Sequence, residues 1–493
     1  AHEIAILALW LTKHQMNVEF FKEFGRTNPT LPLTDAGNIV QGNACRLDWK
    51  EVCQKNENDE IYILGNPPYI GSRMQNANQK DDIAFLMKDF KNFKKLDYIS
   101  CWFVKASNLI SKYTNIKVSF VSTSSIIQGE QVEILWPIIF SKNVEIFFAI
   151  TSFKWINNAK SNAGVSVVVI GFGGKGNKKT IISNNRSKIV NNISPYLTEA
   201  GSLVISKRTK PLSSFPTMSY GNYTGGCNEL MIDDDERDEL IRKYPKSKDL
   251  IRPLIGSNEL INSINRYCIW IKNEDLEKAV SIPPINDKIK NIEKIRTESK
   301  DVSLHKLAAR SHQFRDVKES KENAIIIPIH SSERREYLPC GFVSKEIIIP
   351  NSAQVIYDSE PFIFSLLMSK LHVLWIKAVC GTLESRIRYS STLGYNTFPF
   401  PAISKQRKEE LTQCTLKIID ERLKHSEKTL AQLYDPDKMP EGLKEAHHQN
   451  DLAVERCYRS TPFNSDEERL EYLFKLYEKM IQEEKDKDTL FAK

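Results

Sequence analysis

Four consecutive residues, Asn66-Pro67-Pro68-Tyr69, have the types and the spacing that chemistry on a nucleobase amino group requires. The exocyclic N6 of adenine is a poor nucleophile because its lone pair is delocalised into the ring. The Asn66 side chain and the Pro67 backbone carbonyl can each accept a hydrogen bond from this amino group, which favours sp3 geometry at the nitrogen. Two consecutive prolines fix both φ angles and stiffen the loop. The motif therefore predicts an adenine amino group as the acceptor in a group transfer.

Tyr69 adds a flat face on which an extruded base can stack, a contact worth about 1–3 kcal/mol. The base must first leave the duplex, which is unfavourable by itself. This chemistry needs neither an acid–base dyad nor a metal, and the scattered cysteines and histidines form no CxxC or HxxxH spacing. We expect no metal site and a reduced, cytoplasmic protein. The alternative interpretation of the motif is a proline-stiffened turn without chemistry.

The elements that position the motif follow an α/β pattern. Ile61-Tyr62-Ile63-Leu64 is a short apolar run that predicts a buried strand ending at the motif. Further strands are predicted at 117–121, 145–150 and 165–172, with helices at 3–24, 79–90 and 97–113. In an open α/β sheet, ligands lie outside the carboxyl ends of the strands, where Asn66, Ser122 and Phe153 all fall.

The length of 493 residues exceeds what one compact core normally holds. A Gly- and Lys-rich turn begins at Gly173, so we place a domain boundary within 174–200. The predicted domains are an α/β domain at 1–185, a mixed α+β domain at 186–401 and a helical region at 402–493, in which His447-His448 is expected to be a solvated pair. No apolar run approaches the roughly 20 residues that cross a membrane. The net charge of +7 suits a polyanionic partner without establishing one.

The segment Gly65-Asn66-Pro67-Pro68-Tyr69-Ile70-Gly71 resembles the catalytic motif of N6-adenine DNA methyltransferases. The wider chain resembles the single-chain Type IIL/Type IIG restriction–modification enzymes, in which nuclease, methyltransferase and target recognition share one polypeptide. The segments that carry this resemblance are Ala8–Thr12, Gly42–Ala44, Gln128–Gln131, Phe153–Trp155, Ser331–Arg335, Tyr395–Pro401 and Leu433–Pro436. The resemblance implies the C-terminal part of a Rossmann-like methyltransferase sheet, then a mixed α+β target-recognition domain and a C-terminal helical region.

The resemblance also assigns roles around the motif. Asn66 and Pro67 would bind N6 of a flipped adenine in double-stranded DNA, with Pro68 holding the loop. Tyr69 would stack on the base, and Phe153 would pack against its opposite face. The alternative for Phe153 is a core aromatic that follows a strand.

The resemblance implies S-adenosylmethionine as the cofactor. Asn43 occupies a position where related enzymes often place an acidic residue that contacts the cofactor's adenine, and Asp48 is a nearby alternative. The glycine-rich loop and the ribose-binding acidic residue of these enzymes would precede the first helix, and neither occurs in this sequence. We therefore expect an N-terminally truncated methyltransferase domain, with a nuclease domain upstream of it in the full-length protein.

Two regions are candidates for reading DNA. Residues 288–318 hold nine Lys or Arg against four acidic residues, which suits phosphate contact or a solvated helix face. In Ser331–Arg335, an arginine fork can bind guanine and a glutamate can accept from cytosine N4, each worth about 1–3 kcal/mol of discrimination. The resemblance favours Glu333 and Arg335, and a local Glu–Arg surface pair is the alternative. Arg388 and Tyr389 are expected to contact the DNA backbone.

The leading hypothesis is the site-specific adenine-N6 methyltransferase portion of a restriction–modification or phage-defence enzyme. The absent cofactor loop motivates a second hypothesis, a DNA-binding specificity module without autonomous catalysis. A third hypothesis is methylation of RNA or protein, since Asn-Pro-Pro-Tyr also occurs in methyltransferases that act on those substrates. The long recognition-like region at 200–400 argues against the third.

Overall fold

The computed structural model describes residues 2–25, 39–53, 56, 59–113, 115–155, 166–176, 178–383 and 386–491. The chain divides into two compact units. The first comprises Ala1–Ile126, Ile134–Trp155 and Val167–Ile193, and the second comprises Ile127–Glu133, Ile156–Ser166 and Ser194–Lys493.

A six-stranded mixed sheet organises the first unit, with strand order β1-β2-β4-β3-β5-β6. Strand β1 pairs in parallel with β2, and β2 pairs antiparallel with β4. The four strands predicted from apolar runs are present, although Val165 lies outside the described residues. The prediction that Ile61–Leu64 is a buried strand is wrong, because β1 lies at the edge of the described sheet and has no buried residue. The bounds are β1 Ile61–Gly65, β2 Ile116–Thr123, β3 Val144–Lys154, β4 Ser166–Gly174, β5 Lys179–Ser183 and β6 Arg186–Val190.

Helices pack on this sheet through an aromatic cluster. Phe103 of α4 stacks on Phe172 with ring centroids 5.1 Å apart, and its edge meets Phe120 of β2 at 5.4 Å. Alternate residues of β2 are buried, as expected for a strand with one face on a core. The helix bounds are α1 His2–Phe24, α2 Trp49–Val52, α3 Ala77–Met87, α4 Ser100–Ile110 and α5 Gly129–Phe140.

A hairpin that the sequence did not predict ends the first unit. Strands β5 and β6 pair antiparallel around Asn184 and Asn185, whose φ angles are 48° and 61°. Asparagine tolerates this left-handed region, and two such residues form the tight turn that suits a hairpin. Strand β6 therefore belongs to the sheet of the first unit, although the predicted domain boundary at 185 separated the two strands.

Two apolar surfaces of the first unit stay exposed. Helix α1 has no buried residue, and its Ile4 and Phe24 side chains are 71% and 64% exposed. Strand β1 is at the edge of the described sheet, with Tyr62 59% and Leu64 76% exposed. Apolar surface of this kind is typical of a face that another segment or partner covers.

Three small sheets organise the second unit, with strand orders β8-β10-β9, β13-β11-β14-β7 and β12-β16-β15. The apolar run at 347–349 forms no strand, and Ile348 makes only an isolated bridge with Leu254. The bounds are β7 Ser219–Tyr220, β8 Met231–Ile232, β9 Ile251–Pro253, β10 Tyr267–Ile269, β11 Asn323–Pro328, β12 His330–Ser331, β13 Gly341–Ser344, β14 Ala353–Tyr357, β15 Thr382–Leu383 and β16 Arg386–Arg388.

The helices of the second unit begin with α6, where the Asp233 side chain accepts a hydrogen bond from the Glu236 backbone amide as an N-cap. The bounds are α6 Asp234–Lys243, α7 Ser257–Asn262, α8 Leu276–Val280, α9 Pro283–Thr297, α10 Val302–His305, α11 Pro361–Leu367, α12 Lys370–Val379, α13 Lys405–Leu423, α14 Leu430–Leu433, α15 Glu441–Tyr458 and α16 Asp466–Phe491. No single helix in the described ranges is long and apolar enough to cross a membrane, although α11 and α12, bent by 57°, pass that test of length and composition as a pair.

The C-terminal helices are amphipathic, and α15 buries residues at helical spacing, among them Leu443, His447, Asn450 and Val454. The prediction of a solvated His447-His448 pair is wrong for His447, which is fully buried, whereas His448 is exposed. The two neighbours differ because adjacent residues of a helix point about 100° apart.

Candidate active site and DNA-recognition surface

The Asn66-Pro67-Pro68-Tyr69 motif directly follows β1, at the edge of the sheet where the parallel strands β1 and β2 both end. Asn66 is exposed, Pro67 is buried and Tyr69 is half-buried. The Tyr69 hydroxyl donates a hydrogen bond to Asn66 Oδ1 over 2.6 Å. The amide oxygen predicted to accept an N6 hydrogen is thus already held by the tyrosine, and an incoming base must exchange that bond.

Buried polar groups fix the loop that follows the motif. The Gln75 side chain is 5% exposed, and its Nε2 donates to the carbonyls of Ile70 at 3.2 Å and Leu96 at 2.9 Å. The backbone amide of Tyr98 also donates to the Ile70 carbonyl, at 2.8 Å. Because the Gln75 side chain and the Tyr98 backbone are themselves held by their surroundings, the Ile70 carbonyl directly after the motif is fixed in position.

Asp97 supports the same loop from behind. Its carboxylate accepts a 2.7 Å hydrogen bond from the Ser125 hydroxyl and one from the Ser72 backbone. Burial raises the pKa of Asp97, and these two hydrogen bonds oppose the increase. Sequence reasoning missed Asp97, because a single aspartate outside any motif carries no signal.

Phe153 lies near the end of β3, close to this network. Ser152 and Ser124 share a 2.9 Å hydrogen bond between their hydroxyls, and Ser124 precedes the Ser125 that binds Asp97. The Phe153 side chain is 37% exposed, so the alternative of a core aromatic does not describe it. Ser124 and Ser125 therefore link the end of β3 to Asp97, which holds the loop after the motif.

A cavity of about 800 Å³ opens beside the motif. Its walls are largely apolar and include Leu47, Trp49, Ile63, Pro67, Trp102 and Phe120, and it reaches Asn66. An apolar cavity with few polar groups is typical of a small-molecule site. It is the candidate pocket for a nucleoside-bearing cofactor.

The two predicted cofactor residues lie on the segment that borders this cavity. Asn43 Nδ2 donates to Asp82 at 2.8 Å, and Asn43 Oδ1 accepts from the Cys45 amide at 2.9 Å. Asp48 is exposed and caps α2 by accepting from the Lys50 amide at 3.0 Å. Both polar groups of Asn43 are thus engaged in shaping the segment, and both residues are exposed.

Asp82 and Lys105, which the sequence did not single out, hold this segment in place. Burial opposes ionisation of Asp82, but hydrogen bonds from Asn43, Arg46 and Tyr98 bring its pKa below the ordinary value. The Lys105 ammonium donates to the carbonyls of Cys45 and Leu47, and burial lowers the pKa of Lys105. The border of the cavity is therefore a rigid, internally bonded turn.

In the second unit, β12 leads directly into the predicted recognition residues. Glu333 is exposed and Arg335 is half-buried. Arg334, between them, pairs with Asp437 at 2.5 Å. No ion pair joins Glu333 to Arg335 among the described residues, so the alternative of a local Glu–Arg pair is not what the structure has.

Arg388 lies beside this segment, because β16 pairs with β12 and sets Arg388 opposite His330. Arg388 is exposed. The prediction that Tyr389 contacts DNA is wrong, since Tyr389 is 1% exposed and its hydroxyl is hydrogen-bonded to His372 Nε2 at 2.9 Å. Successive residues of a strand point to opposite faces, so Arg388 faces outward and Tyr389 enters the core.

Comparison with known proteins agrees with this arrangement. Residues 1–183 match the family model "MmeI, DNA-methyltransferase domain", residues 199–402 match "MmeI, target recognition domain" and residues 403–483 match "MmeI, C-terminal domain". The chain belongs to the MmeI family.

Two relatives illustrate the likeness. The chain is 44% identical over 485 residues to DNA methyltransferase A of Bacillus subtilis (strain 168), covering 98% of this chain and 55% of the relative. It also resembles the Type IIL restriction-modification enzyme MmeI solved in complex with DNA, at 35% identity and a TM-score of 0.80, covering 96% of this chain and 64% of that one. The chain thus spans between half and two thirds of the length of these relatives.

Within the region that matches the target recognition domain, the basic residues of 288–318 fall into two groups, those that are buried or paired and those that are exposed. Arg296 is completely buried, Lys288 pairs with Glu236 at 2.7 Å and Arg315 pairs with Asp316 at 3.2 Å. Lys318 is exposed too, but its ammonium donates to the Tyr220 carbonyl. The predicted phosphate contacts therefore narrow to four other exposed lysines of the stretch, Lys290, Lys294, Lys300 and Lys306.

Proposed function

We propose that this chain is the methyltransferase and target-recognition portion of a cytoplasmic restriction–modification enzyme that methylates N6 of adenine at specific duplex sites, with S-adenosylmethionine as the methyl donor. The observation that carries the proposal is the exposed Asn66 amide at the end of β1, with Tyr69 bonded to it, in a chain with an MmeI-type methyltransferase domain.

Each residue of the motif has its own role in the proposed reaction. The adenine leaves the duplex and stacks on the Tyr69 ring, while Phe153 covers its opposite face. The base amino group replaces the Tyr69 hydroxyl at Asn66 Oδ1, and its second hydrogen bonds to the Pro67 carbonyl. Pro68 keeps that carbonyl in place because its ring restricts the backbone. Both hydrogen bonds draw electron density onto N6, which makes it the nucleophile.

S-adenosylmethionine, when bound, supplies a methyl group on a positively charged sulfur, which becomes a neutral thioether as N6 gains the methyl and releases a proton. The apolar cavity beside Asn66 fits the flat base of such a cofactor. Among the described residues, no glycine-rich loop borders it. We infer that Leu47, Trp49 and Asp48 provide one side of the pocket, and that a segment covering the exposed edge of β1 provides the other.

The test of the proposal is Asn66→Ala, with Asn258→Ala, an exposed asparagine on α7, as the matched control. Methyl transfer is measured on duplex DNA, and the methylated nucleoside is identified by mass spectrometry. We expect the control to yield N6-methyladenine, and Asn66→Ala to abolish it while duplex binding persists. Normal methylation by Asn66→Ala, or a different methylated base, contradicts the proposal.

A second candidate function is a DNA-binding specificity module that does not methylate by itself. The exposed Tyr62 and Leu64 side chains on the edge strand favour it, because they indicate that the cavity is open on that side. Calorimetric titration with S-adenosylmethionine separates the two candidates. Micromolar binding by this chain excludes the module-only function, whereas sequence-specific DNA binding without cofactor binding supports it.

A further inference from the structure

The segment that carries Glu333 and Arg335, residues 332–336, is here called the recognition loop. Residues distant in sequence hold it at two points. Arg334 pairs with Asp437, which precedes α15, at 2.5 Å. The Lys377 ammonium of α12 donates to the Arg335 carbonyl at 3.2 Å. The loop is therefore held by the Arg334 side chain and by the Arg335 carbonyl, whereas the side chains of Glu333 and Arg335 make no hydrogen bond or ion pair in the described part of the chain.

A third attachment is buried directly behind the loop. Tyr337, the first residue after it, is 7% exposed, and its hydroxyl donates to Asp451 Oδ2 at 2.7 Å. The Tyr337 ring stacks on the His447 imidazole with centroids 4.1 Å apart. Asp451 and His447 both belong to α15, so one helix of the C-terminal region holds Tyr337 at its ring and at its hydroxyl.

Asp451 also joins this attachment to α12. Its other oxygen, Oδ1, accepts from the Lys370 backbone amide at the start of α12, at 2.7 Å. The same helix carries Lys377, which binds the loop carbonyl. Asp451 thus connects the two helices that support the recognition loop, and both of its oxygens are used in doing so.

We propose that Asp451 and Tyr337 are positioning residues for sequence readout, through which the C-terminal helical region sets where Glu333 and Arg335 meet the bases. This inference rests on the proposed function, because it needs the loop to read DNA. Bidentate contacts between an arginine and a base require planar alignment of two donors and two acceptors, so a small displacement of the loop weakens recognition. Only one residue separates Arg335 from Tyr337, and a shift of Tyr337 is transmitted to the loop.

Four variants test the inference. Tyr337→Phe removes the hydroxyl and keeps the stacking on His447, and Asp451→Ala removes both acceptors. Asp451→Asn is the conservative variant, because its amide can donate to the Tyr337 hydroxyl oxygen and still accept from the Lys370 amide. Ser365→Ala is the matched control, since Ser365 makes a buried hydrogen bond to Asn450 of the same helix away from the loop.

Each variant is mixed with duplex DNA that contains a randomised eight-base-pair window, and the bound fraction is sequenced. We expect Tyr337→Phe and Asp451→Ala to bind total DNA nearly as well as the unmodified chain. They should lose about tenfold in base preference at the positions that Glu333→Gln and Arg335→Gln also relax. Asp451→Asn and Ser365→Ala should retain the preference. Thermal unfolding of every variant identifies any that has simply lost its fold.

Three results overturn the inference. One is full base preference in Tyr337→Phe and Asp451→Ala, both of them folded. Another is a loss in Ser365→Ala equal to that in Tyr337→Phe, which would reflect general loosening of α15. The third is the absence of any sequence preference in the unmodified chain, which contradicts the proposed function itself and is thereby distinct from the first two.

Discussion

Replacing Arg296 is the sharpest test of how the target recognition domain is built. The side chain is completely buried in α9, and its guanidinium donates to five backbone carbonyls and to Cys227 Sγ at 2.8 Å. The five carbonyls belong to Gly225 and Leu307 at 2.9 and 3.0 Å, Arg310 and Gln313 at 2.9 Å each, and Thr224 at 3.3 Å. Arg296 thus joins α9 to two segments, 224–227 and 307–313, and burial lowers its pKa.

Arg296→Met keeps an apolar chain of similar reach and removes every guanidinium hydrogen bond. The carbonyls of Leu307, Arg310 and Thr224 keep backbone amide donors, and that of Gln313 keeps the Cys227 thiol. The Gly225 carbonyl loses the donor Arg296 Nε. One buried, unsatisfied acceptor costs about 1–3 kcal/mol. The unsatisfied Gly225 carbonyl, together with the weaker pairing of the other four, gives an expected loss of about 3 kcal/mol, a large share of the roughly 5–15 kcal/mol that holds a domain together. Arg296→Lys keeps the charge and three donors, and we expect it to lose about half as much.

Urea unfolding followed by tryptophan fluorescence measures this loss. The matched control is Lys294→Met, which removes the same charge two residues earlier from an exposed position. We expect that control to change the unfolding free energy by less than about 0.5 kcal/mol, and to reduce the salt dependence of DNA binding by about one unit of slope. The reasoning fails if the unfolding free energy of Arg296→Met lies within about 1 kcal/mol of that of the unmodified chain while the variant weakens DNA binding as much as Lys294→Met does.

Three further predictions concern the two sites. Tyr69→Phe keeps the stacking face and frees the amide oxygen, so flipping of the target base, followed by 2-aminopurine fluorescence, should be at least as favourable as in the unmodified chain. Tyr69→Leu should weaken it about tenfold, and equal losses in both would refute the stacking role. Asp97→Ala should slow single-turnover methylation about tenfold at unchanged DNA affinity, with Asp97→Asn restoring the rate; a lower affinity without a slower rate would contradict its supporting role. Burial raises the pKa of Asp451 from 3.8 to about 7; the neighbouring Glu455 also raises it, whereas Lys370 and the Tyr337 hydroxyl lower it. The folded state then binds the proton more tightly than the unfolded chain, so this group's contribution to stability decreases from about pH 4 to pH 7 and is constant above that. Asp451→Asn should remove this pH-dependent contribution, which urea unfolding at pH 5 and pH 8 measures. An unfolding free energy that changes equally between the two pH values in the variant and in the unmodified chain would contradict the prediction.

Local patterns in the sequence were enough to find the strands that position the catalytic motif. Strands β1 to β4 are apolar runs that end in polar loops, and the structure has them within a few residues of the predicted bounds. The β5–β6 hairpin was missed, because its strands are short and β6 is mostly exposed, so that polar side chains conceal its alternation. Its only local signal was the Asn184-Asn185 pair, which favours a tight turn.

Side chains whose role depends on a distant partner were beyond prediction. Arg296 was counted with the basic stretch, but carbonyls from as far away as Thr224 make it a buried residue. Tyr389 was grouped with Arg388 because they are adjacent, although a strand turns neighbours to opposite faces. Asn43 was assigned to the cofactor, and only the structure brings Asp82 to its side chain. In each case the deciding contact joins residues that no sequence spacing relates.

The Asn66 motif and the recognition loop differ in how the rest of the chain holds them. In the proposed function, the motif uses the Asn66 amide and a carbonyl fixed by proline, and Gln75, Tyr98 and Asp97 hold the loop that follows it. The recognition loop is held by the Arg334 side chain and the Arg335 carbonyl, while Glu333 and Arg335 make no side-chain hydrogen bond or ion pair in the part of the chain that the structure describes. Exchanging the exposed Glu333 should therefore change stability by less than about 0.5 kcal/mol, whereas exchanging the half-buried Arg335 also removes packing contacts. Specificity can consequently change at the loop while the attachments through Tyr337 and Asp451, and the chemistry at Asn66, stay as they are.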